Sequence, residues 1–203
     1  MRRKPRTLIV MVKEPRPGRV KTRLGAEIGM TRAAWWFRHR IRSLLRRLRD
    51  PRWHLVLAVS PDVDGLQSRV WPGDLPRIPQ GTGHLGHRML RAMAAAPPGP
   101  VCLIGADIPD VTSTEIAHAF RMMGTADAVL GPAEDGGYWL IGFRSSALAA
   151  RALRTGALDR VRWSTPHAMA DTVAVLPGLK IAEAARLADV DTKADLTRRA
   201  RSA

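Results

Sequence analysis

The segment that most constrains this chain is Val101–Asp110, VCLIGADIPD. Four apolar residues, Val101 to Ile104, describe a buried strand, and Gly105–Ala106 then keep the chain slim. Asp107 stands where the strand stops, Pro109 ends regular structure, and Thr112–Met123 resumes as a helix. In open α/β sheets, ligands gather beyond the carboxyl ends of the strands. A carboxylate at that place, among small residues, suits a hard divalent cation that also binds phosphates. The same carboxylate also suits a cap on the helix or turn that follows.

The rest of the chain repeats the strand–helix alternation. Thr7–Val12 reads as a first strand, Lys13–Gly25 as a loop, and Thr31–Arg49 as a helix with Phe37, Ile41, Leu44, Leu45 and Leu48 at helical spacing. Trp53–Val59 is a second strand, closed by Ser60–Pro61 and a polar turn. Arg77–Pro79 is a short strand inside the proline- and glycine-rich stretch Pro72–Gly83, and His84–Ala96 is helical. Further strands fall at Ala128–Gly131, Tyr138–Phe143 and Thr172–Leu176, with helices at Ser145–Thr155 and Thr192–Ala203. The pattern predicts an α/β fold: one three-layer α/β/α domain over 1–203, with a mixed, mainly parallel sheet covered on both faces.

Charge narrows the partners. The chain has 33 Lys and Arg against 18 Asp and Glu, a formal net charge of +15, with lysine only at Lys4, Lys13, Lys21, Lys180 and Lys193. This balance fits nucleotides, sugar phosphates, nucleic acid or anionic lipid; arginines scattered from end to end also fit a solvated surface. In helix 31–49, Arg38, Arg42, Arg46 and Arg49 share the non-apolar face, which suits peripheral membrane or nucleic-acid contact, or simply solvent. The single cysteine, Cys102, excludes an internal disulfide and sits where core packing is expected. A basic Met1–Arg6 before apolar Thr7–Val12 mimics a signal peptide, but the run stops at Lys13–Glu14–Pro15. It is too short for a leader or a transmembrane segment, so the cytoplasm is the expected compartment.

Four stretches carry chemistry. Lys13–Leu24, KEPRPGRVKTRL, follows strand one, where a phosphate-binding loop belongs; Pro15 and Pro17 stiffen it, Gly18 permits a tight turn, and Lys13, Lys21 and Arg23 can converge on an anion. It is not a P-loop, because the glycine before the lysine is missing. Gln80–Met89, QGTGHLGHRM, brings backbone close to a cleft through three glycines and opens a helix with His84, His87 and Arg88, a start that favours anions. The two histidines lack a further His or Cys partner nearby for zinc. Leu130–Gly142, LGPAEDGGYWLIG, reads as a hairpin turn at Asp135–Gly136 or as a site in which Tyr138 or Trp139 stacks on a base or sugar. In Ala188–Leu196, Asp189 and Asp191 point to one side of an extended segment, where one could complete a metal site with Asp107; the plainer reading is a helix cap at Asp191–Thr192.

Together and in this order, these stretches resemble the nucleotide-diphospho-sugar transferase (GT-A-like, Rossmann-like) superfamily. The nearer resemblance is to small bacterial transferases known mainly as selenium- or radical-SAM-domain-associated glycosyltransferases. The resemblance implies that Asp107 is the carboxylate for Mg²⁺ or Mn²⁺, shared with Asp191. It implies that Lys21 and Arg23 hold the nucleotide phosphates, and Lys13, Pro17, Gly18, Thr22, Gly81 and Arg88 complete the expected nucleotide site. Glu134, Gly136, Gly137 and Tyr138 would then meet substrate, and Asp135 (or Glu134) would be the base for an acceptor hydroxyl. Asp107, Asp135 and Lys21 are thus the expected catalytic set. That family usually has Asp where this chain has His84, which leaves the role of the position open. The expected activity is glycosyl transfer from a nucleotide sugar to an unknown acceptor. The rival within the same fold is nucleotidyl transfer of the molybdenum-cofactor or phospholactate guanylyltransferase type, whose glycine-rich first loop is replaced here by prolines. The rival from another class is nucleic-acid binding, against which stand the acids of the expected cleft and the absence of a nucleic-acid motif.

Overall fold

Why the sheet forms where it does is visible in the burial of its strands. A computed structural model describes residues 4–108 and 111–187. β1 (Thr7–Lys13) and β4 (Val101–Gly105) are buried along nearly their whole length, as strands covered on both faces must be. β2 (His54–Ser60) and β3 (Arg77–Pro79) extend the sheet to one side; β5 (Ala128–Pro132), β6 (Tyr138–Phe143) and β7 (Ile181–Glu183) extend it to the other. The order is β3-β2-β1-β4-β6-β5-β7, and among the described strands only β6 runs antiparallel to its neighbours. This is a single α/β domain with a mostly parallel mixed sheet, as the alternation predicts.

Alternate residues of each strand feed two cores. Leu8, Val10 and Val12 join Phe37, Ile41 and Leu44 of α2 (Met30–Arg47) and Ile116 and Phe120 of α5 (Ser113–Met122). On the opposite face, Ile9 and Leu103 meet Met89 and Met93 of α4 (Leu85–Ala94) and Ala149 and Ala152 of α6 (Ser146–Arg154). Thr112 and Glu115 close a reciprocal capping box at the start of α5, which fixes that helix directly after β4.

Three expectations need correction. The stretch Lys13–Gly25 is not all loop: β1 runs through Lys13, and α1 (Thr22–Ile28) begins inside it. Gly25, inside α1, is a contact: a Cβ there would lie 2.5 Å from Met30 Sδ, and its absence lets α2 fold closely back on α1. The polar turn after Pro61 is a short helix, α3 (Asp62–Gln67), with Asp62 and Asp64 in its first turn where the helix dipole favours acids. Thr172–Leu176 is not a strand but belongs to α7 (Ala168–Ala174) and its end. Thr172 and Ala168 are both buried, four residues apart, and Thr172 Oγ1 donates to the Ala168 carbonyl at 2.8 Å, so the helical period wins over the β-branched composition. The last described strand is Ile181–Glu183, beside β5. The expected helix Thr192–Ala203 lies outside the described residues.

α7 is tied to the preceding connection by Asp171, which accepts from Arg162 Nε and Nη2 at 2.8 Å each and from the Arg162 backbone N–H at 3.0 Å. These bonds hold the Asp171 carboxyl well below the usual carboxylate range. A pKa depressed by folding adds stability that is complete above the unfolded value of about 3.9 and is lost as pH falls toward the folded value. Asp171→Asn is therefore expected to lower the thermal midpoint at neutral pH. The gap to wild type should close as pH falls below about 4, which a pH series of thermal melts reads directly.

Candidate functional site

Parallel strands β1, β2 and β4 all end on one edge, at Lys13, Ser60 and Gly105. A cavity of about 470 Å³ opens beyond that edge. Met11, Phe37, Met89, Leu103, Trp139 and Ile141 form its apolar walls. Lys13, Arg19, Lys21, Arg23 and Arg88 also line it, with Asp107 as the one carboxylate among its described lining residues. Five cations against one acid, on apolar walls that weaken dielectric screening, make a receptor for a polyanion with a flat or apolar body.

The first loop is built for this. Arg16–Arg19 is a tight turn closed by the Arg19 N–H donating to the Arg16 carbonyl at 3.0 Å, with Pro17 second and Gly18 third at φ +75°. That is the type II arrangement, in which proline presets the second residue and glycine alone takes the third without steric cost. The turn delivers Arg19 to the cavity. Lys21 follows in the left-handed region (φ 45°, ψ 48°), a conformation that costs a non-glycine residue about 1 kcal/mol or more. Its side chain is nearly buried, 5% exposed, and Nζ sits 2.9 Å from Asp107 Oδ1 at the end of β4. The strained residue thus carries its ammonium to the neighbouring strand end. Asp107 itself is half exposed toward the cavity.

A second anchor comes from Gln80, which is 2% exposed. Its Nε2 donates to the Val12 carbonyl at 3.1 Å and to the Ala58 carbonyl at 2.7 Å, bridging the ends of β1 and β2. With both amide hydrogens committed, Oε1 must face outward, and there it accepts from Arg88 Nη2. Gly81 (φ +72°) allows the turn, since a Cβ there would lie 2.0 Å from Arg91 Nη1, and Arg91 donates to the Gln80 and Thr82 carbonyls. Gln80→Leu keeps the volume but leaves two buried carbonyls and Arg88 without this partner. It should cost about 1–3 kcal/mol in thermal or denaturant unfolding.

His84 acts as a cap. It is the N-cap of α4, with Nδ1 accepting from the His87 N–H at 3.3 Å, while Nε2 lies 2.9 Å from Asp159 Oδ1. One tautomer serves both contacts: the acceptor at Nδ1 requires the proton on Nε2, where it points at the carboxylate. A cap is also what an aspartate would supply at this position. No group of three or more His, Cys, Asp or Glu able to hold a metal occurs among the described residues.

The acid–glycine turn joins β5 to β6 as a hairpin. The Gly137 N–H donates to Asp135 Oδ1 at 2.9 Å, the Ala133 N–H to the Gly137 carbonyl at 3.0 Å, and Gly136 takes φ +84° with its would-be Cβ 2.3 Å from the Pro166 carbonyl oxygen. Glu134 and Asp135 are exposed on this turn and, with Gly136 and Gly137, are not among the cavity-lining residues. Tyr138 does line the cavity; burial pushes its phenol above the usual value, against the bond from Thr172, so at neutral pH it is an uncharged hydroxyl rather than a base. Trp139 is core, not a surface aromatic: it is 3% exposed, its ring covers Gly131, and Nε1 donates to the Ala185 carbonyl at 2.9 Å.

The structure thus brings Lys13, Lys21, Thr22, Arg23, Arg88, Asp107 and Tyr138 to one cavity, while Pro17, Gly18 and Gly81 shape the backbone around it. Asp189 and Asp191 lie outside the described residues. Sequence reasoning missed Arg19 and Gln80. The Pro17–Gly18 pair was the available signal for Arg19; nothing in the sequence signals that Gln80 is buried. As to metal, Asp107 is the one carboxylate at the cavity among the described residues, beside its cations. It fits an ion such as Mg²⁺ that takes one or two carboxylates and completes its shell with phosphate oxygens and water.

A family model described as "Uncharacterized protein conserved in bacteria (DUF2064)" matches residues 44–165. No protein among those with curated function matches significantly. Among solved structures, one from Desulfovibrio desulfuricans G20, provisionally named a nucleotide-diphospho-sugar transferase, is 30% identical with a TM-score of 0.83; the match covers 97% of this chain and 87% of that one. Rv0371c from Mycobacterium tuberculosis H37Rv, in complex with manganese, is 14% identical with a TM-score of 0.58, covering 97% and 98%. A CMP:2-keto-3-deoxy-manno-octonic acid synthetase complexed with CTP is 12% identical with a TM-score of 0.58, covering 98% and 100%. The last two show likeness of fold.

Proposed function

This chain belongs to the bacterial DUF2064 family, and we propose that within it the chain is a metal-dependent glycosyltransferase using a nucleotide-diphospho-sugar donor, akin to the selenium- or radical-SAM-domain-associated group. The observation that carries the proposal is the convergence of Lys13, Lys21, Arg23 and Arg88 with Asp107 on one apolar-walled cavity at the carboxyl ends of the parallel strands. The resemblance to the Desulfovibrio protein supports the donor class.

In this reading Lys21 and Arg23 hold the diphosphate, and Arg88, fixed by Gln80, orients it from the opposite side. Thr22 and Tyr138 supply neutral hydroxyls to the sugar or ribose. Asp107, with Asp191, would hold Mg²⁺ or Mn²⁺ beside the phosphates. When bound, such an ion supplies Lewis acidity for the charge that develops on the leaving diphosphate. Fixed positive charge from Lys21, already in place at Asp107, stabilises the same charge without reorganisation. The anomeric carbon–oxygen bond of the donor breaks, the acceptor oxygen takes the glycosyl group, and nucleoside diphosphate leaves. Asp135 or Glu134 serves as acceptor base only if the acceptor enters along the β5–β6 turn.

The second reading, nucleotidyl transfer, is favoured by the fold shared with the CTP-bound synthetase. The two differ in the product. Incubation with Mn²⁺ and a panel of nucleotide sugars should give slow release of nucleoside diphosphate, with water as a poor acceptor, and no pyrophosphate from nucleoside triphosphates. Pyrophosphate release from a triphosphate, with every nucleotide sugar left intact, assigns the second reading instead.

A further inference from the structure

Helix α2 (Met30–Arg47) buries Ala34, Phe37, Ile41, Leu44 and Leu45 against the sheet, so its amphipathic face is already spent on the core. Its outer face is unusual. The helix holds Arg32, Arg38, Arg40, Arg42, Arg46 and Arg47 and not one carboxylate. Trp35, His39, Arg42 and Arg46 follow one another at helical spacing along the exposed side, flanked by Arg32. Trp35 is 58% exposed, the most exposed aromatic among the described residues. Among the described residues, Arg32, Arg42 and Arg46 form no ion pair, whereas Arg49 and Arg52, just beyond the helix, pair with Asp74 and Asp50. The outer face of α2 thus sets arginines without ion pairs around an exposed tryptophan.

We propose that this outer face of α2 docks the chain onto an anionic lipid bilayer. Charge complementarity names the class of partner: arginines near an anionic headgroup layer each add attraction, and tryptophan, with an apolar body and a polar N–H, settles at the same depth. The setting of Trp35 favours a bilayer over nucleic acid. Its ring has the Arg38 guanidinium 5.8 Å from its centroid and the His39 ring 6.3 Å away, so a ring face that a base would stack upon is already attended. A second copy of the chain fits poorly, because a two-fold contact would set the same arginines against each other. No described helix is long and apolar enough to cross a membrane, so the contact is peripheral. On the flank of the same helix, Trp36, Phe37 and Arg40 border the space beside Lys21 and Asp107, so docking keeps the cavity mouth close to the bilayer.

Flotation of the full chain with vesicles tests this. The wild type should float with phosphatidylcholine vesicles containing phosphatidylglycerol and remain in solution with pure phosphatidylcholine. Each interfacial arginine is worth about fivefold in partitioning, so Arg42→Gln with Arg46→Gln should weaken binding about thirtyfold. Trp35→Ala should also weaken it, and both variants should melt as the wild type does, since these side chains are exposed. The proposal is overturned if neither vesicle binds, if pure phosphatidylcholine binds as well, or if the variants bind undiminished. It is equally overturned if a single-stranded oligonucleotide outcompetes the vesicles for the same residues, or if ultracentrifugation shows a dimer that Trp35→Ala dissociates.

Discussion

Asp107→Asn is expected to abolish metal-dependent donor binding and to lower turnover by at least about a hundredfold. Asparagine is nearly isosteric and keeps one oxygen for Lys21, so the fold should survive. What disappears is the negative charge, and with it the one carboxylate that lines the cavity among the described residues. A hard divalent cation binds a neutral amide oxygen far less well than a carboxylate. Lys21 Nζ, 2.9 Å from Asp107 Oδ1, then faces the phosphates without a neighbouring anion to temper it. Residual nucleotide affinity should therefore become metal-independent rather than vanish. A donor-hydrolysis assay with and without Mn²⁺, on wild type and variant, reads both effects.

Trp139→Ala carries the largest expected effect on stability, about 3–5 kcal/mol, from loss of a buried indole and the cavity left behind. Three features make the site unable to collapse around a smaller residue. The ring lies over Gly131 so closely that a Cβ there would fall 2.5 Å from it. Its N–H holds the Ala185 carbonyl at 2.9 Å, tying the chain after β7 back to the sheet. The ring also walls the functional cavity. A fall in the thermal midpoint of roughly 10 °C is expected. Nucleotide binding should weaken as well, because the cavity wall is released. Trp139→Phe should recover much of the packing and none of the hydrogen bond, which separates the two contributions.

Much of this was readable before any coordinates. VCLIG and TLIVMV read as buried strands, and in a parallel sheet that places Lys13 and Asp107 at one sheet edge. The Pro17–Gly18 turn was legible because its chemistry is local. The errors were those of tertiary override. TVAVL looks like a strand because β-branching is counted by residue, yet burial at Ala168 and Thr172 sets a helical period. Gly25 was read as the end of a loop, when it lies within α1 and its role is to admit Met30. Trp139 looked like a stacking platform, because nothing in LGPAEDGGYWLIG reveals that Gly131 is the floor beneath it. Likewise the exposed acids of the hairpin turn drew attention, while the buried amide of Gln80, which aims Arg88, was hidden by the glycines after it. Local chemistry shows in a sequence; contacts made across strands do not.

The most direct test of the central claim is calorimetric titration of wild type and Asp107→Asn with nucleotide sugars, in Mn²⁺ and in EDTA. Binding of one nucleotide-diphospho-sugar by the wild type in Mn²⁺, lost in EDTA and lost in the variant, is the predicted result. Equal affinity of both proteins for that donor, with or without metal, would contradict it and remove Asp107 from the account of the site.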